Sequence, residues 1–398
     1  LRAGQITEDD WEELQDNIVR SPGHCAVMGT ASTMAAIGEV IGMALPGNTA
    51  IPAVDSRRLQ IAEATGRQIV KLIEYDLRPS KVITMDSIEN AIRTLHAIGG
   101  STNAIIHLTA IAGRVGIDLS MSLYDELSRT TPLILDVKPS GRFLMEDFYY
   151  AGGLSALLSN MSSLLHLDTI TVTGQSLGDN IDGVRTQNVE IIRSLEEPLA
   201  PEGGLAVLNG SLAPDGAVIK QSSASPDLLT HIGRAVVFED YDHVNRSIDD
   251  PDLDVHPDDI LVMRNGGPVG APGMPESGFL PMPKKLLEHG IRDMIRISDA
   301  RMSGTAFGTV VVHVTPESAV GGPLAAVRNG DTISLDVPNR RLDLLVDNRE
   351  IQHRLSETPW SRRHYARGYG WLFAQHILQA DKGCDFDFLR TDGVKQVV

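Results

Sequence analysis

The chain has 398 residues, 42% of them hydrophobic and 22% charged, which is typical of a globular protein long enough to bury two cores. Its formal net charge of −17 argues against nucleic acid or an anionic membrane surface as a partner, because both require concentrated Lys and Arg. Two cysteines, Cys25 and Cys384, are too few for a disulfide scaffold, and the sequence has no apolar run of membrane-spanning length, so we predict a cytoplasmic protein.

Helical patterns dominate the first half of the chain. Asp86 and Glu89 form a D-x-x-E capping pattern before apolar residues that recur at helical spacing, and this predicts a helix. Similar spacing predicts helices over residues 59–77 and 104–114.

A small polar loop, Gly-Gly-Ser-Thr-Asn at residues 99–103, interrupts two of these helical stretches. Such residues form turns, and glycines let a ligand approach the backbone closely. We therefore predict ligand contacts from Ser101, Thr102 and Asn103.

The second half changes character after a linker near residue 195, where Glu-Glu-Pro is followed by Pro-Glu-Gly-Gly. Short apolar runs then predict β-strands over residues 205–208, 235–238, 260–263, 309–314, 333–337 and 342–346. The last two runs flank Pro-Asn-Arg, which indicates a hairpin, and a closed or nearly closed barrel would hide the edges of so many short strands. The predicted fold class is an α/β N-terminal domain over residues 1–195, followed by a mostly β barrel domain with a C-terminal helix over residues 196–398.

Cys25 lies among glycines and small hydroxyl residues in the segment 23–34, just before a predicted helix. A helix N-terminus and open backbone amides favour a thiolate, which suits metal binding or nucleophilic chemistry. The alternative is a buried structural cysteine.

Two loops of the second half carry further candidates. Residues 265–276 are rich in glycine and proline and end in Glu276, a pattern that suits a site for a hard cation and equally a surface turn with a solvated glutamate. Ser303 and Thr305 lie in a glycine-flanked turn, residues 298–308, just before a predicted strand. Their hydroxyls suit a base or a nucleophile, and the alternative is an ordinary turn rich in Gly and Ser.

Six separated segments, in this order, resemble the dihydroxy-acid and sugar-acid dehydratase family over almost the whole chain. They are residues 23–34, 97–104, 141–147, 212–217, 270–276 and 298–305. The resemblance implies a hydro-lyase that converts 2,3-dihydroxy acids into 2-keto-3-deoxy acids. It also implies an α/β domain followed by a β-barrel.

The resemblance further implies roles for individual residues. Cys25 would be one cysteine ligand of an iron–sulfur cluster, [2Fe-2S] or [4Fe-4S], and Glu276 would be a ligand of the Mg²⁺ that holds the substrate. Ser303 would be the base, an alkoxide that removes the C2 proton, with Thr305 beside it for substrate contact. By the same resemblance, the protein is expected to form a homodimer or homotetramer.

One departure from the family pattern concerns the first residues. The family's other cluster cysteines, an Mg²⁺-binding Asp and a carbamylated Lys precede the segment 23–34, and residues 1–22 supply none of them. We therefore expect that the N-terminal part of the family sequence is missing from this chain, which alone would not assemble the complete cluster or magnesium site.

The turn at residues 298–308 is more similar to the sugar-acid members than to the branched-chain biosynthetic members. A pentonate such as arabinonate or xylonate is therefore the predicted substrate. Two alternatives stay open: a dihydroxy-acid dehydratase of branched-chain amino-acid synthesis, and a catalytically silent, truncated paralogue that serves as an assembly subunit.

Overall fold

A computed structural model describes residues 1–19, 21–357 and 365–391 of the chain. The described residues form two compact units. The helical unit comprises Val19–Leu205 together with Thr391, and the barrel unit comprises Leu1–Ile18 together with Ala206–Arg390. The predicted domains, residues 1–195 and 196–398, stay a prediction.

Helices make up most of the regular structure of the helical unit, and the barrel unit contains helices of its own. In chain order they are α1 (Glu8–Ile18), α2 (Thr30–Val40), α3 (Ser56–Glu74), α4 (Pro79–Val82), α5 (Met85–Ala97), α6 (Asn103–Arg114), α7 (Met121–Arg129), α8 (Met145–Tyr150), α9 (Gly153–Asn160), α10 (Leu177–Ile181), α11 (Tyr241–Ser247), α12 (Lys284–Glu288), α13 (Asn348–Glu357) and α14 (Tyr369–His376). Among the described residues, none of these helices combines the length and apolarity needed to cross a membrane.

Helix α5 is central to the helical unit, where it packs against α2, α6 and α7. Ile88 and Leu95 on its apolar face are fully buried, as their spacing predicts. The start of the helix differs from the prediction. Thr84 is the N-cap rather than Asp86, because the Thr84 hydroxyl accepts the Ser87 N–H while the Ser87 hydroxyl accepts the Thr84 N–H.

The predicted loop between α5 and α6 is confirmed at residues 98–102, and it packs closely against α2. A Cβ at Gly100 would come within 2.6 Å of a Leu95 methyl carbon and 2.8 Å of a Thr33 methyl carbon. Glycine at this position therefore lets the loop lie directly against α2. The helices predicted over residues 59–77 and 104–114 correspond to α3 and α6.

The strands of the described residues all lie in the barrel unit. They are β1 (Ala206–Leu208), β2 (Gly216–Ile219), β3 (Thr230–Phe238), β4 (Ile260–Met263), β5 (Arg296–Ser298), β6 (Val310–Thr315), β7 (Thr332–Asp336) and β8 (Arg341–Leu344). They form one sheet in the order β1-β2-β6-β5-β4-β3-β7-β8. Strands β3 to β6 pair in parallel in the centre, and the remaining pairs are antiparallel.

The two ends of this sheet approach each other. Asn209, directly after β1, forms a bridge with Arg341 of β8, which nearly closes the sheet into a barrel and protects its edges. The predicted fold class, helix and sheet with a C-terminal β-barrel, is thereby confirmed. The described residues of the helical unit contribute isolated β-bridges rather than a regular sheet.

Alternation along the strands produces two larger cores in the barrel unit, beside a small apolar cluster of Met302, Ala306, Val310 and Val312. One contains Ile219, Val237, Val262, Ile297 and Val311 with other alternate strand residues. The other contains the intervening residues of β3 and β4, packed with residues of α11 and α12. Strands such as β4 and β6 are buried on both faces and therefore appear as apolar runs in the sequence, whereas β7 and β8 alternate because one face is buried.

The six predicted strands are confirmed as β1, β3, β4, β6, β7 and β8, with β7 and β8 paired as the predicted hairpin. Strands β2 and β5 were not predicted from the sequence. Both are short, and β5 begins with Arg296, whose burial becomes possible through an ion pair with Asp293 at 2.6 Å. That compensation is invisible in a local sequence pattern.

Candidate active site

Ser303 and Thr305 form a compact pair in the turn that precedes β6. Ser303 Oγ and Thr305 Oγ1 are hydrogen-bonded at 2.9 Å, and the Thr305 N–H donates to Ser303 Oγ at 3.3 Å. Both side chains are half-buried. Either hydroxyl can be the donor of the first bond, so when Thr305 donates, Ser303 Oγ accepts two hydrogen bonds within the same turn, an arrangement that stabilises developing negative charge.

Two contacts fix this turn to the end of β2. The Lys220 ammonium donates to the Gly304 carbonyl at 3.2 Å, and the Gly308 N–H donates to the Ser223 carbonyl at 2.9 Å. Gly308 has φ +111, and a Cβ there would meet the Arg296 guanidinium. Position 308 therefore requires glycine. The two hydrogen bonds hold the turn at Gly304 and at Gly308.

The loop that carries Glu276 is attached to the same part of the barrel unit. The Arg301 guanidinium donates to the Met274 carbonyl at 2.6 Å, and the Gly278 N–H donates to the Arg301 carbonyl at 2.7 Å. Arg301 thus connects both flanks of Glu276 to the chain just before Ser303. Glu276 itself is exposed.

A buried carboxylate holds the first part of this loop. Glu317 accepts the N–H groups of Val269 and Gly270, both at 2.9 Å, and the Gln379 side-chain amide at 2.7 Å. Burial, with Asp299 nearby, raises the pKa of Glu317 to about 7.

Asp299 anchors the beginning of the same loop. It accepts from the Gly266 N–H at 2.8 Å and from the Ser318 hydroxyl at 2.7 Å. Burial raises the pKa of Asp299 as well. The loop therefore depends on two buried acids for its shape.

Cys25 lies in the helical unit, on an exposed segment that precedes α2. Two hydrogen bonds hold the segment just after Cys25, because the Met28 N–H donates to the Lys138 carbonyl at 2.7 Å and the Met145 N–H donates to the Ala26 carbonyl at 2.8 Å. The thiol is thus presented to solvent by an ordered backbone, and the alternative of a buried structural cysteine does not fit its exposure.

The predicted ligand-contact residues Ser101, Thr102 and Asn103 are fully buried where α6 begins. Thr30, the first residue of α2, shares a hydrogen bond of 2.9 Å with the Ser101 hydroxyl and accepts one of 3.0 Å from the Asn103 amide. The starts of α2 and α6 therefore meet in one polar cluster. Within the part of the chain that the structure describes, the buried Thr102 Oγ1 has no hydrogen-bond partner.

The structure brings Ser303, Thr305 and the Glu276 loop together in the barrel unit, and it joins Ser101 and Asn103 to the start of α2 in the helical unit. Sequence reasoning missed Lys220 and Glu317. Lys220 ends an apolar run, and a lysine in that position was the one available signal. Glu317 has no local signal, since its partners lie about 50 and 60 residues away along the chain.

A metal centre requires several donors in one place. In the described ranges, no three His, Cys, Asp or Glu side chains come together in a way that could hold a metal ion. Cys25 is one thiolate donor, whereas cysteine-bound iron–sulfur clusters take four. The described residues therefore do not by themselves fit the complete group.

The chain is similar to known dehydratases along most of its length. The dihydroxy-acid/6-phosphogluconate dehydratase N-terminal family profile matches residues 1–180, and the C-terminal profile matches residues 190–384. L-arabinonate dehydratase of Rhizobium leguminosarum bv. trifolii is 53% identical over 394 residues, which cover 98% of this chain and 68% of that protein. A 6-deoxy-6-sulfo-D-gluconate dehydratase of Pseudomonas putida is 47% identical over 392 residues, with 98% and 68% covered. Dihydroxy-acid dehydratase of Acetivibrio thermocellus is 39% identical over 385 residues, with 96% and 69% covered.

The matched residues include the loop at residues 99–103 and the turn at residues 298–308. Both family profiles describe dehydratases and all three relatives are named as dehydratases, which confirms the predicted enzyme class, a hydro-lyase. The chain belongs to the dihydroxy-acid/6-phosphogluconate dehydratase family.

Proposed function

We propose that this protein dehydrates a sugar acid, a 2,3-dihydroxy acid of the pentonate type, to the 2-keto-3-deoxy acid, with Ser303 as the base. The two relatives named for sugar acids are more similar to the chain than the one named for a dihydroxy acid, which supports a sugar-acid substrate. A dihydroxy-acid dehydratase of branched-chain amino-acid synthesis is the alternative. The enzyme class holds for both.

The observation that carries the proposal is the pair of donors at Ser303 Oγ. A neutral serine hydroxyl is too weak a base for a proton next to a carboxylate, so the reactive form is the alkoxide. The Thr305 N–H and hydroxyl can both donate to that alkoxide at 3.3 and 2.9 Å without moving. Thr305 then has a stabilising role in addition to substrate contact.

The reaction balances as a loss of water. The Ser303 alkoxide takes the proton from C2 and the C3 hydroxyl leaves as hydroxide, and this proton and hydroxide together make up the water that is lost. The resulting enol then loses its O–H proton and gains a proton at C3 to become the 2-keto acid. This chain's own described residues account for the first of these steps. The Arg301 contacts keep the Glu276 loop in place beside the turn on which that step occurs.

Members of this family generally depend on an iron–sulfur cluster. We propose Cys25 as one ligand of a [2Fe-2S] or [4Fe-4S] cluster, and Glu276 as one ligand of Mg²⁺. These groups would act on the leaving hydroxyl and on the substrate carboxylate as Lewis acids. The described residues do not complete either site.

The test is turnover on a panel of aldonates, including arabinonate and xylonate, beside 2,3-dihydroxyisovalerate, with keto-acid formation as the measurement. Preference for the aldonates is expected, and preference for the branched-chain substrate would replace the proposed substrate class. In Ser303→Ala the rate should fall by about 10² to 10⁴, the usual contribution of a general base. Full turnover in Ser303→Ala would remove Ser303 from the reaction.

An assembly subunit without activity is the alternative from another class. Absence of bound iron and of turnover in the purified chain would support it. We further propose a cytoplasmic location and a homodimer or homotetramer, which fractionation and light scattering would test.

A further inference from the structure

Lys220 is a cation in an unusual place. It follows β2, and only 1% of its surface is exposed. In the described ranges no carboxylate forms an ion pair with it, and burial alone lowers the pKa of Lys220 to about 7. A buried lysine without a counter-ion is costly, so its presence needs a compensating role.

Among the described residues, the side-chain hydrogen bond of Lys220 goes to the turn of the proposed base. Its Nζ donates to the Gly304 carbonyl at 3.2 Å. That carbonyl and the Thr305 N–H belong to the same peptide group, and the Thr305 N–H donates to Ser303 Oγ at 3.3 Å. A donor on one side of a peptide group polarises the donor on its other side.

We infer that Lys220 is a positioning residue for Ser303: it orients and polarises the Gly304–Thr305 peptide so that its N–H stabilises the Ser303 alkoxide. The inference rests on the proposed function, in which Ser303 is the base. Lys220 acts through the peptide and does not touch the substrate. It therefore affects how readily Ser303 loses its proton.

The other charged groups around the turn are bonded to partners other than the Gly304–Thr305 peptide. Arg301, before the turn, is engaged with the Met274 carbonyl. Asp293 and Arg296, which lie beside Gly308, are paired with each other at 2.6 Å, and Asp293 also accepts the Thr309 N–H and hydroxyl. Lys220 is thus the charged side chain whose bond reaches the Gly304–Thr305 peptide.

The first experiment measures the turn itself. Lys220→Met keeps the length of the side chain and removes its charge and donor, and Lys220→Gln is the second variant if Met does not fold. Hydrogen exchange of the peptide covering residues 303–308, followed by mass spectrometry, should be about tenfold faster in Lys220→Met, since a freed turn loses protection. Arg354→Met is the matched control, because Arg354 is also a largely buried cation bonded to a backbone carbonyl, that of Ala326, but outside this turn.

The second experiment measures the base. In the holoenzyme, Lys220→Met should lower kcat about tenfold with little change in KM, and the limb of kcat/KM that rises with pH should move up by about one pH unit. A merely structural lysine would reduce activity without moving this limb. Arg354→Met should leave the limb in place.

Stability gives an internal check on the ionisation of Lys220. The folded pKa of about 7 lies below the ordinary value of 10.5, so the unfolded chain binds one more proton between these values. Stability should therefore rise with pH from about 7 to about 10.5 in the wild type, and Lys220→Met should lack this rise.

The inference requires both main readouts to change. Unchanged exchange at residues 303–308, or an unmoved pH limb in an active Lys220→Met enzyme, would overturn it. If the wild-type holoenzyme turns over no sugar acid, the proposed function fails, and the exchange measurement alone then decides whether Lys220 holds the turn.

Discussion

The two regions proposed for chemistry differ in how completely this chain builds them. The turn of Ser303 is fixed by side chains and peptide groups of the barrel unit, with Lys220 at one end and Gly308 at the other. Cys25 lies on an ordered but exposed segment of the helical unit, with one thiol and no assembled donor set among the described residues. Proton abstraction can thus be organised by the chain itself, whereas a metal centre at Cys25 needs further ligands.

Replacement of Cys25 has the largest expected effect, a loss of bound iron and sulfide. Cys25→Ala should lower the iron and acid-labile sulfide bound per chain by about tenfold or more, because a cluster ligand is removed. Cys384→Ala is the matched control and should retain both. Cys384 is half-buried beside Met274, and burial raises its pKa to about 12, which disfavours the thiolate that a metal binds. Equal iron content in Cys25→Ala would exclude Cys25 as a ligand.

Glu317 tests the shape of the loop in the barrel unit. Its folded pKa of about 7 lies above the ordinary 4.5, so the folded state binds one more proton than the unfolded state between these values. Stability should fall as pH rises from about 4.5 to about 7, by up to roughly 3 kcal/mol from this group. Urea midpoints across that range should show a shallower fall in Glu317→Gln.

Two controls sharpen this comparison. Asp299 faces Glu317 and also has a raised pKa, so part of the fall should remain in Glu317→Gln and should shrink further when Asp299 is changed to Asn as well. Glu350, whose pKa is lowered by its bond to Arg354, should contribute in the opposite direction. An identical slope in wild type and Glu317→Gln would contradict the proposed ionisation.

Thr102 gives the smallest effect and tests the polar cluster of the helical unit. Its buried hydroxyl has no hydrogen-bond partner in the described residues, so Thr102→Val should leave the free energy of unfolding unchanged or raise it by about 1 kcal/mol. Thr109→Val, on the helix α6 that follows Thr102, is the control. The Thr109 hydroxyl bonds Tyr124 Oη at 3.1 Å, and its loss should cost about 1 kcal/mol.

The predicted substrate contact of Thr102 has a separate readout. If its hydroxyl binds the substrate, KM should rise several-fold in Thr102→Val while stability does not fall. An unchanged KM would leave Ser101 and Asn103 as the remaining predicted contacts in that loop.

The sequence alone determined the parts of this protein that repeat locally. Helical spacing predicted α3, α5 and α6, because a helix that buries one face repeats its apolar residues at that spacing. Apolar runs predicted six strands, because a strand that is buried on both faces is apolar at successive positions. The turns around Cys25, Glu276 and Ser303 were visible in the sequence as clusters of glycine, proline and small polar residues, because these residues favour turns over helices and strands.

Tertiary structure decided what depends on residues far apart in the chain. Strand β5 became possible because Asp293 neutralises Arg296, and the Glu276 loop is held by Glu317 some 50 residues later. Lys220 reaches Gly304 across 84 residues. Such contacts compensate for buried polar groups, and the cost of burial is known only when the surroundings of each group are fixed, so no local pattern contains them.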